Sequence, residues 1–403
     1  MPKALTLAFL QALYCGGRAG RFINRRSKRS AEARRIREEF YDRVWHEAAR
    51  EAGATIESLG SGIWEIRRDG LQTRVAQNWT ALDDAVTLTV AGNKPLTYRL
   101  LAREGLSIPP YAEFSLNEIR TAEEFLASAD GDCVVKPAAD TGGGLGVTTG
   151  VHTRWGLYRA AAAAAVHSKD LLLQTQIEGK SYRLLYLDGV LLDAVVQSPA
   201  SVLGDGKLSL RRLVNRANAE RLRKGADLGQ GLITSDLEMK HTLAEQGLRL
   251  SSVPRAGRVV SLKTAINDNA GGDNHSAGHQ LCESIVTDGA RATRAVRARL
   301  AGIDVVTTDP GRPLAETGGA IIEVNTTPGF YWHYHKCDGP FPVAKHVLER
   351  IFDDLGGVPR RTVGANRAAK CQHSIPLPSP LQRELVPAAV MKAPRPTAPE
   401  GSR

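Results

Sequence analysis

The sequence predicts a mixed α/β fold with more than one lobe. Short apolar runs rich in β-branched residues, such as residues 133–137 (CVVKP) and 302–309 (GIDVVTTD), are typical of buried strands. Elsewhere the apolar period changes to that of a helix, as at Ile36, Phe40 and Val44. With 403 residues, the chain is long enough to bury two or three cores.

The first 90 residues are predicted to form an N-terminal lobe of unassigned role. From residue 31 the pattern favours an amphipathic helix that stops at Gly53, followed by strands around residues 63–66 and 71–76. Between Arg18 and Arg37 lie nine Lys or Arg residues and one acid, in a chain with a formal net charge of +10. This run would attract nucleic acid or another polyanion, but a solvated helix face is the favoured alternative.

Two lysines and a glycine-rich loop have the features of an anion site. Lys94 immediately precedes a predicted helix whose first turn accommodates Pro95, and a helix N-terminus favours negative charge. Lys136 lies on the buried strand CVVKP, which is followed by the loop TGGGLGVT at residues 141–148. Glycines let backbone amides approach phosphate oxygens closely, although such loops also serve as simple turns.

Residues 170–179 (DLLLQTQIEG) are predicted to form a strand that runs into a loop. The backbone groups at the end of that strand would be available to an adenine ring. Downstream, Asp188 and Gly189 predict a tight hairpin turn.

A carboxylate and an amide stand two positions apart in residues 318–330 (GGAIIEVNTTPGF). Because side chains alternate along a strand, Glu323 and Asn325 share one face, and Asp304 on a second strand would complete a set of oxygen ligands. Such a set suits magnesium, which keeps its other positions for water and phosphate. The alternative is that Glu323 and Asn325 lie on the solvent-exposed face of a half-buried strand.

The next segment, FYWHYHKCDG, has three alternative interpretations: a metal site, a substrate-binding wall and a packed turn. His333, His335 and Cys337 have alternating spacing that would suit a soft metal, but no fourth ligand is evident. Tyr331, Trp332 and His333 would more readily form a wall against an acceptor substrate. A packed aromatic turn is the structural alternative.

These segments together resemble the ATP-grasp ligases, in particular the ATP-grasp domain of cyanophycin synthetase, with the glutamate-cysteine ligase type as a cousin. The resemblance runs from about residue 91 to residue 352 and rests on segments in the expected order. They include GNKPLTYRLLAREGLSIPP, VVKPAADTGGGLGVT, LLLQTQIEGKSYRLL, INDNAGG, IIEVNTTPGF and VAKHVLERIF.

The resemblance implies an ATP-grasp fold, in which two α/β lobes hold ATP between them, and it assigns roles by position. Lys94 and Lys136 would hold the phosphates, and the loop closing over them would comprise Gly142, Gly143, Gly144, Leu145, Gly146 and Val147. The adenine hinge would comprise Gln174, Thr175, Gln176 and Ile177, with Glu178 on the ribose. Asp304, Glu323 and Asn325 would bind magnesium or manganese, and Lys263, Arg183 and Asn267 would face the phosphates or the acceptor.

The implied activity is an ATP-dependent carboxylate-amine ligase that forms an amide through an acyl phosphate, acting on an amino acid or small peptide. A carboxylate-thiol or glutamate-cysteine type of ligase is the nearest alternative. A non-catalytic ATP-binding module and a basic nucleic-acid-binding protein are alternatives from other classes. The chain departs from the family pattern at Gln174 in the hinge, at Ser181 near the ribose and at Lys263. It also departs at Gln197 and Ser201, where the resemblance implies contact with the acid substrate.

The predicted boundaries place a nucleotide-clasping lobe at residues 91–176 and a lobe with the metal site at residues 177–355. Residues 356–403 are rich in proline and basic residues and are predicted to be disordered. Five cysteines without a CxxC pair favour a reducing compartment, hence the cytoplasm, and no apolar run approaches a membrane span. The sequence is compatible with a homo-oligomer.

Overall fold

The computed structural model describes residues 14, 28–139, 145–224, 232–263 and 274–357, which belong to one compact unit, Met1–Arg361. Its helices and antiparallel sheets confirm the predicted α/β class, whereas the lobe boundaries stay predictions. Among the residues described, no helix is long and apolar enough to cross a membrane. Several predicted features lie outside these residues: Gly142, Gly143, Gly144, Asn267, residues 18–27 of the basic run, and the proline-rich tail.

The N-terminal part consists of one long helix and a three-stranded antiparallel meander. Helix α1 ends as predicted before Gly53, whose positive φ of 65° reverses the chain. The first strand was not predicted, because its residues are almost all exposed and lack an apolar alternation. The elements are α1 (Lys28–Glu51), β1 (Thr55–Gly60), β2 (Ile63–Arg68) and β3 (Leu71–Val75).

The next part is a four-stranded sheet in the order β4-β7-β5-β6, flanked by helices. Asp84 and Asn93 cap the first two of these helices by accepting backbone N–H groups. Strand β5 is buried along its whole length, as expected from CVVKP. The elements are α2 (Ala85–Gly92), α3 (Lys94–Arg103), β4 (Tyr111–Phe114), α4 (Ile119–Ser128), β5 (Cys133–Pro137), β6 (Thr148–Val151), α5 (Arg154–Ala165) and β7 (Leu171–Thr175).

A five-stranded antiparallel sheet in the order β12-β9-β8-β13-β14 carries the candidate site. The predicted hairpin joins its strands β8 and β9, because Asp188 and Gly189 both have positive φ. The strands are β8 (Lys180–Leu187), β9 (Val190–Gln197), β12 (Asn274–Ser276), β13 (Leu300–Thr307) and β14 (Ala320–Thr326).

Both faces of this sheet are covered by helices. One face packs Leu184, Ile303 and Val324 against helix α8 (Glu283–Val296). The other face packs Leu185, Val195 and Leu300 against helix α1 and against helices that follow β14. Those helices are α10 (Tyr331–Tyr334) and α11 (Val343–Leu355), preceded by the short α9 (Leu314–Thr317).

A smaller unit with its own apolar core interrupts the sheet between β9 and β12. Its two strands pair in antiparallel fashion and its two helices contribute Leu213, Met239 and Leu243 to that core. The elements are β10 (Ser201–Leu203), α6 (Leu210–Lys224), α7 (Leu237–Glu245) and β11 (Val259–Ser261).

Gly179, just before β8, is expected to be irreplaceable. Its φ is +126°, and a Cβ there would lie 2.2 Å from the carbonyl carbon of Thr307 on the neighbouring strand. We expect Gly179→Ala to lower the free energy of unfolding by about 2 kcal/mol or more. Gly62→Ala is the matched control, because Gly62 also has positive φ but open space around it. Urea unfolding that shows equal losses for both variants would contradict the steric argument.

Candidate active site

Three charged side chains form a row across the five-stranded sheet. In the strand register, Asp304 of β13 pairs with Arg183 of β8 on one side and with Glu323 of β14 on the other. Directly paired residues point to the same face, and Asn325 shares that face because it is two positions from Glu323. The structure therefore brings together the three predicted metal ligands and Arg183. The register shifts next to Asp304, which leaves Ile322 as an extra residue on β14.

Asp304 is already engaged by two neighbours. The Arg183 guanidinium donates two hydrogen bonds to the Asp304 carboxylate, and the Arg183 Nη2 lies 2.8 Å from the Asp304 Oδ2. The Asn325 Nδ2 donates to the same Oδ2 at 3.0 Å. Burial raises the pKa of Asp304, and the Arg183 charge offsets this only in part. Gly302 provides the space for Arg183, because a Cβ there would lie 2.9 Å from the Arg183 Cδ.

Removal of Arg183 is expected to destabilise the fold. The Arg183 and Asp304 side chains are 11% and 16% exposed, so Arg183→Met would leave a buried carboxylate without its cation. We expect a loss of about 3 kcal/mol in the free energy of unfolding. Arg183→Met combined with Asp304→Asn should recover part of that loss, since no buried charge is then left unpaired. Urea titration of the four proteins measures this, and no recovery in the double variant would contradict the argument.

Lys94, the first residue of helix α3, forms an ion pair with one member of this row. The residue is 7% exposed, and its Nζ lies 3.0 Å from the Glu323 Oε1. Its backbone N–H donates to the carbonyl oxygen of Ala138, just after β5, at 2.9 Å. Burial opposes ionisation of Glu323, but the charges of Lys94 and Lys136 outweigh it and lower the Glu323 pKa. The prediction that Lys94 enters at a helix N-terminus is confirmed.

Lys136 contacts a hydroxyl that lies between the two sheets. Its Nζ donates to the Tyr98 hydroxyl at 3.0 Å. That hydroxyl is 2.7 Å from the Ile322 carbonyl oxygen at the irregular position of β14 and 2.9 Å from the Gln174 Oε1. Burial, followed by the nearby charge of Lys94, lowers the pKa of Lys136 to about 7. The sequence argument did not identify Tyr98. Its position one helical turn after Lys94 could have indicated that both side chains lie on the same face of the helix.

The structure narrows the predicted adenine hinge. Gln174 is an interior residue of β7 and 3% exposed. The backbone N–H groups of Thr175 and Gln176 already donate to carbonyl oxygens of the fold, at 3.0 Å and 2.8 Å. Within the described part of the chain, Ile177 and the exposed Glu178 form no backbone hydrogen bond. Recognition of adenine through backbone N–H groups would therefore rely on these last two residues.

The described end of the glycine loop is tightly packed. Gly146 has a φ of +78°, and a Cβ there would lie 2.9 Å from the His167 ring and 3.2 Å from the Ala164 Cα. Leu145 is exposed and Val147 half-buried. Glycine is thus required at position 146 for both conformation and space.

Lys263 does not join the row. Its side chain is fully buried, and its Nζ lies 2.9 Å from the Thr234 Oγ1, 2.5 Å from the Asp236 Oδ2 and 3.8 Å from the Glu238 Oε2. These partners lie in or next to helix α7, in the small unit between β9 and β12. The sequence argument did not connect Lys263 to these acids, and its catalytic role is supported by no contact among the described residues.

The segment FYWHYHKCDG contributes a second polar group to the same face of the sheet. The His333 Nδ1 lies 2.8 Å from the Asp193 Oδ2, and Lys336 holds both oxygens of Asp193 at 3.0 and 3.1 Å. Asp193 was missed, although an acid inside the apolar strand VLLDAVVQ was a signal for it. No group of three or more His, Cys, Asp or Glu side chains in the described ranges is arranged to hold a metal ion. Cys337 is exposed.

A cavity of about 480 Å³ opens beside Lys94, Glu323 and Asn325. Its wall also includes Leu88 and Trp79, a residue that is 66% exposed. A cavity of this size accommodates a small-molecule ligand. Apolar walls with a few charged groups at one end are typical of such sites.

No protein-family model matches the chain. The cyanophycin synthetase of Trichormus variabilis is 28% identical over 278 residues, which cover 67% of this chain and 30% of that protein. The glutathione biosynthesis bifunctional protein GshAB of Mannheimia succiniciproducens is 28% identical over 287 residues, covering 69% of this chain and 37% of that protein. A solved structure of a bifunctional glutathione synthetase from Pasteurella multocida aligns with a TM-score of 0.48 and 25% identity, over 75% of this chain and 42% of that one. The chain spans about a third of the length of the curated relatives it matches.

Proposed function

We propose that this chain is a member of the ATP-grasp ligase family and an ATP-dependent ligase that joins a carboxylate to an amine. The carboxylate would belong to an amino acid or small peptide. ATP would phosphorylate it to an acyl phosphate, and attack by the amine would then give an amide. The assignment is a proposal for the whole protein, because the chain spans only about a third of the relatives' length.

One observation supports this proposal above the others. Lys94 forms an ion pair with Glu323, the charge of Lys136 also acts on that carboxylate, and Asp304 stands opposite Glu323. Positive groups beside carboxylates suit a polyphosphate bound together with a cation. Phosphoryl transfer needs mainly positioning and charge neutralisation, so this set requires no nucleophilic side chain.

The donor set fits a hard divalent cation. Glu323, Asp304 and Asn325 offer only oxygen atoms as ligands, which magnesium prefers over nitrogen or sulfur ligands. When bound, such a cation would neutralise phosphate charge and orient the phosphates. Magnesium, or manganese as the alternative, is the cation of the proposal. A cytoplasmic location, a homo-oligomer and polyanion binding between Arg18 and Arg37 stay predictions of the sequence.

The chemistry predicts a specific set of products. The substrate carboxylate oxygen attacks the terminal phosphorus, the bond to ADP breaks, and the attacking oxygen later leaves with the phosphate. We therefore expect ADP and phosphate as products, and oxygen-18 should move from a labelled carboxylate into phosphate. Pools of amino acids and dipeptides, with mass detection of new amides, would identify the substrates. AMP as the nucleotide product would contradict the proposal and indicate adenylation.

A further inference from the structure

His333 has one ring nitrogen without a hydrogen-bond partner among the residues that the structure describes. The residue is fully buried in α10; its Nδ1 contacts Asp193, whereas its Nε2 contacts no polar group of the described residues. A buried polar atom without a partner is costly, so such atoms usually mark a place where a ligand or water binds.

The neighbours of His333 determine which nitrogen is free to accept a proton. Lys336 holds Asp193, and the charges and hydrogen bonds around Asp193 overcome burial and lower its pKa. An ionised Asp193 accepts from Nδ1–H, which leaves a lone pair on Nε2. Burial lowers the pKa of His333 despite Asp193, and the charges of Arg183 and Lys336 act in the same direction. The ring is therefore neutral near pH 7.

The strand register places this group next to the charged row. Val195 of β9 pairs with Arg183, so Asp193, two positions away on the same face, is a diagonal neighbour of Arg183. Diagonal neighbours in an antiparallel pair are about 7–8 Å apart. Arg183 in turn holds Asp304. Asp193 and His333 thus lie on the same sheet face as the predicted metal ligands.

We propose that His333 is the group that takes the proton from the attacking amine, with Asp193 as its positioning residue. This inference rests on the proposed ligase function. The amine nitrogen bonds to the acyl carbon, the bond from that carbon to the phosphate oxygen breaks, and its electron pair leaves with phosphate. One proton passes from nitrogen to Nε2, and the Asp193 carboxylate stabilises the resulting imidazolium.

Hydroxylamine separates this step from the rest of the reaction. It is largely unprotonated at neutral pH and attacks acyl phosphates without help from a base, giving a hydroxamate. His333→Asn is the informative variant, because an asparagine Nδ2 can replace the Nδ1–H donor to Asp193 while nothing replaces Nε2. His346→Asn is the matched control, since the His346 ring stacks on Phe341 and is not paired with Asp193.

The test measures amide formation with a pool of amino acids and hydroxamate formation with hydroxylamine. We expect His333→Asn to lower the ratio of amide to hydroxamate by about 100-fold or more, and to abolish the loss of wild-type activity at acidic pH. Asp193→Asn should lower the same ratio, because an amide donor in place of the carboxylate favours the wrong tautomer. An equal loss of both products in His333→Asn would overturn the inference. No hydroxamate from the wild-type protein would instead contradict the proposed function.

A direct measurement covers the case in which the variant does not fold. Nitrogen-15 NMR of histidine-labelled wild-type protein should show one buried ring protonated at Nδ1, with a pKa that burial lowers from the ordinary histidine value. Addition of ATP with the amino acid pool should shift the Nε2 signal of that ring. A ring protonated at Nε2 at pH 7 would overturn the assignment of His333 as proton acceptor.

Discussion

Glu323→Gln is expected to lower ATP turnover by about 100-fold or more while the protein stays folded. The carboxylate of Glu323 faces Asp304 across the strand pair and balances Lys94 at 3.0 Å. Glutamine keeps an oxygen that can accept from Lys94 but removes the negative charge that a divalent cation requires. Loss of one preorganised charged group in such a site typically costs two to three orders of magnitude in rate.

The measurement is ADP release at saturating ATP over a range of magnesium concentrations, with circular dichroism as the check on folding. Glu316→Gln is the matched control, because Glu316 pairs with Arg312 at an exposed site on α9. We expect Asn325→Ala to behave like Glu323→Gln, since both residues share the face of Asp304. Unchanged ADP release in both variants at ordinary magnesium levels would remove the assignment of the metal ligands.

ATP binding is expected to weaken as the pH rises above about 7, because binding takes up a proton at Lys136. Burial and Lys94 lower the pKa of free Lys136 to about 7, from 10.5 for an ordinary lysine. An adjacent phosphate would restore a higher pKa, since a negative charge stabilises the ammonium. Between these two pKa values the complex holds one more proton than the free protein. Calorimetry at pH 8 in two buffers of different ionisation heat measures that uptake.

Lys136→Met is the decisive variant for this linkage. It should abolish the proton uptake and lower ATP affinity most at pH 7 and below, where the wild-type lysine is charged. The nucleotide-free variant should also be more stable than the wild type below pH 7, because burying a charged lysine opposes folding. That difference should shrink as the pH rises toward 10.5, where the unfolded lysine also loses its proton. Proton uptake that persists in Lys136→Met would assign it to another group.

Local patterns in the sequence were sufficient for the parts of the site that lie on one strand or one turn. Glu323 and Asn325 share a face because of simple alternation, and Asp188 with Gly189 forms the predicted hairpin. The strand carrying Lys136 was evident from its apolar composition. By contrast, β1 carries no apolar alternation and was not found.

Contacts between segments that are distant in the chain could not be predicted from a single sequence. Asp193 and His333 are 140 positions apart, and only the packing of α10 against β9 brings them together. Lys263 was assigned by its position relative to a motif, but its charge is satisfied by acids 27 and 25 positions earlier, Asp236 and Glu238. Long-range charge pairing depends on the complete topology, which periodicity does not encode.

The Tyr98 hydroxyl has a consequence for movement between the two sheets. It has a single proton but two acceptors, the Gln174 Oε1 on one sheet and the Ile322 carbonyl oxygen on the other. Because it accepts from Lys136 at the same time, its proton goes to only one of those acceptors at any moment. A shift that lengthened the contact to Ile322 would transfer the donation to Gln174 at no loss of hydrogen bonds. One hydroxyl proton is therefore shared between acceptors on the two sheets, and rotation of a single O–H bond passes it from one sheet to the other.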